Sequence, residues 1–222
     1  AFVKNEPIEG KPYDWYVTQY GEPPSYDRLL AKLGAKPLDR SALLRPYFEP
    51  TPEDRNEGLK LPTKAHRSIA KLVKAGYIQV ILTTNFDRLL EKALEEEGII
   101  PLVISTKDMI EGVSPLQHSQ VTIVKLHGDY LDSRIKNTPE ELAEYEEPVN
   151  GLLNKVLDEW GLIVCGWSAE WDVALRNALY RAEGRRYMTY WAVYGELKED
   201  AQRLFDHREA EVIGITGADD FF

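Results

Sequence analysis

The chain has a single cysteine, Cys165, set in the apolar run Leu162-Ile163-Val164-Cys165. One thiol cannot form a disulfide within the chain, which fits a reducing, cytoplasmic setting. Nor can it build a thiolate cage for structural zinc, which needs several deprotonated sulfurs around one ion. Histidine is scarce as well. His66, His118, His127 and His207 are the four present, and none forms a close-spaced pair of metal-ligand type, so no metal site is expected. No apolar stretch reaches the ~20 residues that cross a bilayer, and no secretory leader is visible. The chain begins at Ala1 rather than Met, which is read as a fragment or a processed product. Basic residues are in deficit: 27 Lys and Arg against 37 Asp and Glu give a net charge of -10. The largest basic cluster, Arg181 to Arg186, holds three arginines and reads as a solvated helix end. Direct nucleic-acid binding needs a basic face for phosphates and is therefore not expected.

What the chain does have is enough apolar material for a core. Its 222 residues are 43% hydrophobic, which suits one α/β domain or a domain and a half and excludes a disordered chain. Residues 1–60 form a separate N-terminal segment. The first 24 are rich in Pro, Gly and Tyr without a period and read as irregular. Ser25 caps a short helix with Leu29, Leu30 and Leu33 on one face and Gly34 as its stop. A second short helix runs from Asp39 to about Tyr47. Phe48 to Leu61 is a loop or a loosely helical insert.

Regular periodicity starts near residue 62, and residues 61–222 read as one domain. Pro62-Thr63 opens a helix with His66, Ile69, Ala70 and Val73 at helical spacing and Gly76 after it. Apolar, β-branched runs predict strands over 77–83, 99–104, 121–126, 161–165, 188–193 and 211–215. Helical patterns lie between them at 87–97, 106–112, 172–181 and 199–208, and another carries Val149, Leu152, Leu153, Val156 and Leu157. Thr138-Pro139-Glu140-Glu141 reads as a capping box with proline at the first helical position. Alternating strands and helices, with strands apolar almost throughout, predict a parallel sheet covered on both faces. Right-handed crossovers then give an open, doubly wound sheet of Rossmann type, in which ligands bind at the carboxyl ends of the strands.

Three polar motifs stand at such ends. The first strand runs into Thr83-Thr84-Asn85-Phe86-Asp87, with an amide and a carboxylate at a helix start. The third runs into Lys125-Leu126-His127-Gly128-Asp129, where a titratable imidazole is followed by a glycine that admits close approach. The fourth runs into Cys165-Gly166-Trp167-Ser168-Ala169-Glu170-Trp171-Asp172, with a glycine and a small hydroxyl before a helix N-terminus, a place suited to a ribose or phosphate. Each has a structural alternative: Asp87 as a helix cap, Asn85 in a local turn bond, His127 as a satisfied structural residue, Gly166 and Ser168 as turn chemistry. Three such motifs on one edge of one sheet are harder to assign to turns than any one alone.

The run from Leu61-Pro62-Thr63-Lys64-Ala65-His66 through Ala75-Gly76-Tyr77 to Thr83-Thr84-Asn85-Phe86-Asp87 resembles the sirtuin signature, in which a histidine-bearing helix leads to a strand ending in Thr-Gln-Asn-Ile-Asp. Leu126-His127-Gly128 resembles the family's Leu-His-Gly, and Gly166-Trp167-Ser168 its Gly-Thr-Ser. The close, Gly217-Ala218-Asp219-Asp220-Phe221-Phe222, is similar to the end of bacterial sirtuin-like domains. The resemblance implies a deoxyhypusine-synthase-like arrangement that binds NAD as substrate. By it, Asn85 would hold the nicotinamide ribose or place a water beneath it. Asp87 would shape the same pocket, and His127 would be the general base on the ribose hydroxyls. Thr83, Thr84, Gly128, Gly166, Trp167 and Ser168 would line the cofactor site, with Gly166 and Ser168 toward the adenosine-side ribose or phosphates. Asp172 stands where bacterial members often carry an acid; it is expected to cap the following helix, with a ligand contact as the lesser alternative.

The sequence departs from the family pattern in four places. The Gly-Ala-Gly phosphate loop and the first strand that carries it do not occur, and a fragment starting after them is the simpler expectation. The segment between Asp87 and His127 lacks the four-cysteine zinc module of the protein deacylases. Thr84 replaces a glutamine and Trp167 a threonine. The resemblance therefore points to the zinc-free bacterial and archaeal domains that hydrolyse NAD to nicotinamide and ADP-ribose, many of them antiviral effectors attached to a sensor domain or partner and often homo-oligomeric. A zinc-free deacylase or ADP-ribosyltransferase, and a module that only binds NAD or ADP-ribose, are the competing readings.

Overall fold

Among the described residues, short apolar runs rich in β-branched residues form six strands: β1 (Val80–Thr83), β2 (Leu102–Ile104), β3 (Thr122–Lys125), β4 (Leu162–Cys165), β5 (Thr189–Tyr194) and β6 (Glu211–Ile215). The structure, a computed structural model, describes residues 11–24, 37–132, 135–136 and 140–222. Every pairing is parallel, as crossover helices between strands dictate. The strands form two three-stranded sheets, in the orders β1-β3-β2 and β4-β5-β6. This is a Rossmann-like α/β fold, divided between β1 and β4 where one continuous sheet is expected from the sequence. At the division the Trp160 indole donates to Gln79 Oε1 at 3.4 Å, joining the residues before β4 and before β1.

The helices that position these sheets are α1 (Pro12–Tyr20), α2 (Pro37–Phe48), α3 (Pro52–Asn56), α4 (Lys64–Lys74), α5 (Leu89–Glu96), α6 (Lys107–Glu111), α7 (Glu147–Glu159), α8 (Val173–Arg181), α9 (Glu199–Arg208) and α10 (Ala218–Phe221). Alternation along β1 and β3 sorts their side chains to two faces. Ile81, Ile123 and Val103 pack with Ala70 and Val73 of α4 and Ala93 and Leu94 of α5. Leu82, Val124 and Ile104 join a larger core that also takes Val164 of β4 and Trp191 of β5. Leu152, Leu153, Val156 and Leu157 of α7 are buried in it, so one helix serves both sheets.

Two expectations are corrected. Residues 12–20 are helical rather than irregular. Pro12 presets the first helical φ, and Gly21 closes the helix in the left-handed region (φ 71°), its N–H donating to Val17 O at 2.8 Å. The aromatics that masked the pattern pack on one another, with Tyr16 and Tyr20 rings 4.6 Å apart. The second correction concerns the proposed capping box. Thr138 and Pro139 lie outside the described residues, Glu140 to Ala143 form a turn, and the helix starts at Glu147 with Pro148 in its first turn. The Ser25 helix also lies outside the described residues. The remaining strands and helices fall within a few residues of the sequence reading, and the insert at Phe48 to Leu61 holds α3, with a Thr51–Asp54 capping box.

Candidate active site

The parallel register pairs Thr83 of β1 with Lys125 of β3. Asn85 and His127 each lie two residues further on, so two of the sequence-chosen groups leave neighbouring strands at the same rim. Asn85 is exposed; its backbone N–H donates to Thr83 Oγ1 at 3.1 Å, and its side-chain amide has no partner among the described residues. Thr84 is half-buried beside it. Asp87, one residue before the N-cap Arg88, accepts the Leu89 N–H on Oδ1 at 2.9 Å in a local turn at the start of α5, which gives this carboxylate a structural role at the rim.

The Asn85 loop is fastened to the β3 end by a lysine. Lys125, with a fully buried side chain, donates to Asp87 O at 2.5 Å, Phe86 O at 3.3 Å, Asp129 Oδ2 at 2.8 Å and Glu91 Oε1 at 3.1 Å. The Tyr130 N–H adds a bond to Phe86 O at 3.1 Å. Both carboxylates are buried, and Arg88 approaches them at 3.6 and 3.7 Å. Burying three charges is tolerable because each is paired and hydrogen-bonded.

His127 has 11% of its side chain accessible and is fixed from several sides. Its carbonyl accepts the Lys136 N–H at 2.8 Å, and the Phe86 ring lies 6.2 Å away. Gly128 turns the chain sharply with φ 92°, a conformation that favours glycine. His127 Nε2 lies 2.6 Å from Asp172 Oδ2. Asp172 caps α8 through Oδ1, which accepts the Leu175 N–H at 2.9 Å, and the Tyr145 hydroxyl reaches both carboxylate oxygens at 3.2 Å. Burial, and then the charge of Asp172, push the Tyr145 hydroxyl well above the usual tyrosine range.

The third motif forms the turn after β4. Gly166 (φ 73°) and Ser168 are exposed, and Ser168 Oγ accepts the Glu170 N–H at 3.4 Å. Trp167 turns toward the core and stacks on Trp191 with ring centroids 5.9 Å apart. Ala169 is buried with φ 57°, and Arg176 Nη1 holds the loop by donating to the carbonyls of Ala169 at 2.8 Å and Glu170 at 2.7 Å. The loop meets His127 through Asp172 at its end.

A cavity of about 310 Å³ opens at the ends of β2 and β3. Its wall includes Ser105, Lys107, Lys125, Gly128, Lys136 and Glu146, and it excludes Asn85, Asp87 and Ser168. Lys136 belongs to both places: it lines the cavity and its Nζ lies 5.6 Å from the centroid of the Tyr145 ring. Chemistry rather than hollowness marks the site, since the unpaired amide and the held imidazole lie on the rim beside the cavity.

Sequence reading placed Asp172 as a cap and did not pair it with His127. Tyr145 and Lys125 went unnoticed as parts of the site. A charged residue closing the buried strand Thr122–Lys125, directly after Ile123 and Val124, was the one available signal for Lys125, because a lysine there must find buried partners.

An alternating α/β chain that gathers its polar loops at the carboxyl rim of parallel strands belongs to the Rossmann-like class. Within that class the match is to the SIR2-like domain over residues 79–213, and the chain belongs to that family. Members of the family are NAD-dependent enzymes that use NAD as substrate. The matched span holds all three strand-end motifs together with Lys125, Tyr145 and Asp172. A comparison with curated proteins gives no match. No helix among the described residues is long and apolar enough to cross a membrane.

Proposed function

We propose that this domain hydrolyses NAD at the nicotinamide–ribose bond. The bonding pair of that bond leaves with the nicotinamide nitrogen, water supplies the oxygen that bonds the ribose carbon, and its proton passes to a base and then to solvent. The products are nicotinamide and ADP-ribose. The observation that carries this reading is that Asn85 and His127 each lie two residues beyond the paired ends, Thr83 and Lys125, of adjacent parallel strands. Asn85 offers an unpaired amide to the ribose or to the attacking water. His127 is the base, a role that suits an imidazole near neutral pH. Gly166 and Ser168 bind the adenosine-side ribose or phosphates, while Thr83, Thr84 and Gly128 shape the nicotinamide side. Trp167 acts from beneath, supporting its turn through the stack on Trp191. Asp87 positions the Asn85 loop through its bond to the Leu89 N–H at the start of α5.

Water is favoured over an acyl-lysine acceptor because the chain, with Cys165 alone, cannot build the four-cysteine module of the deacylases. Residues 61–222 constitute the catalytic domain in this reading. Coupling to a sensor domain or partner, as in antiviral effectors that deplete NAD, is the cellular role it fits.

The test is nicotinamide release from NAD by the full-length protein, beside Asn85→Ala and His127→Ala. Release that falls at least about 100-fold in either variant is expected, the scale of a lost acid–base group. Absence of release with NAD still bound would replace this reading with a binding module. Turnover that depends on an acylated peptide would replace it with a deacylase.

A further inference from the structure

We propose that Asp172 and Tyr145 are positioning residues that lock His127 in the tautomer carrying its proton on Nε2, which leaves Nδ1 as the nitrogen that accepts a proton in the reaction. The identity of that reaction rests on the reading above; the tautomer itself does not.

The argument is a count of donors and acceptors around one buried carboxylate. Asp172 is 3% exposed. Its Oδ1 takes the Leu175 N–H at 2.9 Å, and the Tyr145 hydroxyl lies 3.2 Å from both Oδ1 and Oδ2. The amide can only donate, and Tyr145, pushed toward its neutral form, keeps its proton. Asp172 also sits at the N-terminus of α8, a helix of nine residues whose dipole favours an anion there. A carboxylate so placed is an acceptor, and the group 2.6 Å from Oδ2 must donate. That group is His127 Nε2. In the neutral ring the lone pair then lies on Nδ1, which has no partner among the described residues.

Capping alone does not explain the arrangement. An N-cap needs one oxygen, and serine, threonine or asparagine supplies it as well as aspartate does. The second oxygen of Asp172 is committed to the imidazole, and the tyrosine bridging both oxygens prevents the carboxylate from rotating away. The residues are 27 and 45 positions from Asp172 in the chain, so the contact is built by the fold.

Two variants separate positioning from structure. Asp172→Asn keeps an oxygen for the Leu175 N–H but presents an amide donor to His127, which forces Nε2 to accept and moves the ring proton to Nδ1. Tyr145→Phe keeps the ring and removes the hydroxyl. Long-range ¹H–¹⁵N correlation spectra of ¹⁵N-histidine-labelled protein at mildly alkaline pH, with His127 assigned by its loss in His127→Gln, read the tautomer directly. The wild type should show the Nε2–H pattern and Asp172→Asn the Nδ1–H pattern. In NAD cleavage, kcat should fall about 100-fold or more in Asp172→Asn with KM little changed, and about tenfold in Tyr145→Phe. An Nδ1–H pattern in the wild type would overturn the proposal even if Asp172→Asn does not fold. So would an Asp172→Asn enzyme with wild-type kcat. A wild type that shows the Nε2–H pattern but releases no nicotinamide would leave the lock standing and remove the hydrolase reading.

Discussion

At the scale of single residues, the site depends on charges that are buried and answered. Lys125 shows this most clearly. Its ammonium is enclosed by two buried carboxylates and two carbonyls, and those carbonyls belong to the loop that carries Asn85. Replacing it with methionine preserves the stem but strands Glu91 and Asp129 without their cation. Breaking a buried pair from one side costs about 3–5 kcal/mol. Lys125→Met should therefore lower the unfolding free energy from urea denaturation by an amount of that order, and a loss below about 1 kcal/mol would show that Arg88 alone neutralises the pair. How far this was legible follows from the same residues. Asn85 and His127 could be found because they sit at strand ends, where periodicity stops and polar types appear. Tyr145 could not, since it lies in an irregular stretch just before α7 with no spacing to mark it. Asp172 was visible as a cap, but its tie to His127 joins two loops 45 residues apart and leaves no local trace.

At the scale of elements, the start of α4 is tied down by residues that flank the matched span on either side. Thr63 donates its backbone N–H to His66 Nδ1 at 3.2 Å, closing a capping arrangement in which histidine stands where glutamate or glutamine is usual. Asp219, in α10, accepts from the Thr63 hydroxyl and the Ala65 N–H, both at 2.7 Å. Burial holds His66 below its ordinary value, against the raising influence of Asp87 and Asp219. The folded state thus takes up a proton less readily than the unfolded chain. Stability is complete above about pH 6.5, the unfolded value, and declines as pH falls below it toward the folded value. Protonation also turns Nδ1 from acceptor to donor and removes the cap bond. His66→Gln keeps an acceptor for Thr63 and carries no charge, so it should flatten the change in thermal midpoint between pH 7.5 and 5.5 relative to wild type. Equal slopes in the two proteins would place the titration elsewhere. The order of elements from α4 onward was readable because apolar runs and helical spacing agree there. α1 was not, because its aromatic residues give no clean helical face and its stability comes from Pro12, Gly21 and ring packing.

At the scale of the whole molecule, the two sheets are separate as hydrogen-bonded ladders but share one core. β1 pairs with β3 and β4 with β5, and no ladder bonds join β1 to β4 among the described residues. The link is made by side chains instead. Val124 and Ile104 from the first sheet, and Val164 and Trp191 from the second, meet in the cluster that α7 fills with Leu152, Leu153, Val156 and Leu157. The His127–Asp172 bond crosses the same division at the rim. A core shared in this way makes the two halves interdependent, because neither can lose its packing without exposing the other's. Leu153 is fully buried on the shared helix, and truncating it to alanine should cost about 2–5 kcal/mol. The informative readout is hydrogen exchange resolved by segment. In Leu153→Ala, amides of β3 and of β5 should lose protection by the same factor. If β3 opened while β5 kept its wild-type protection, the halves would be independent folding units, and the alignment of His127 with Asp172 would have to be maintained by the loops alone.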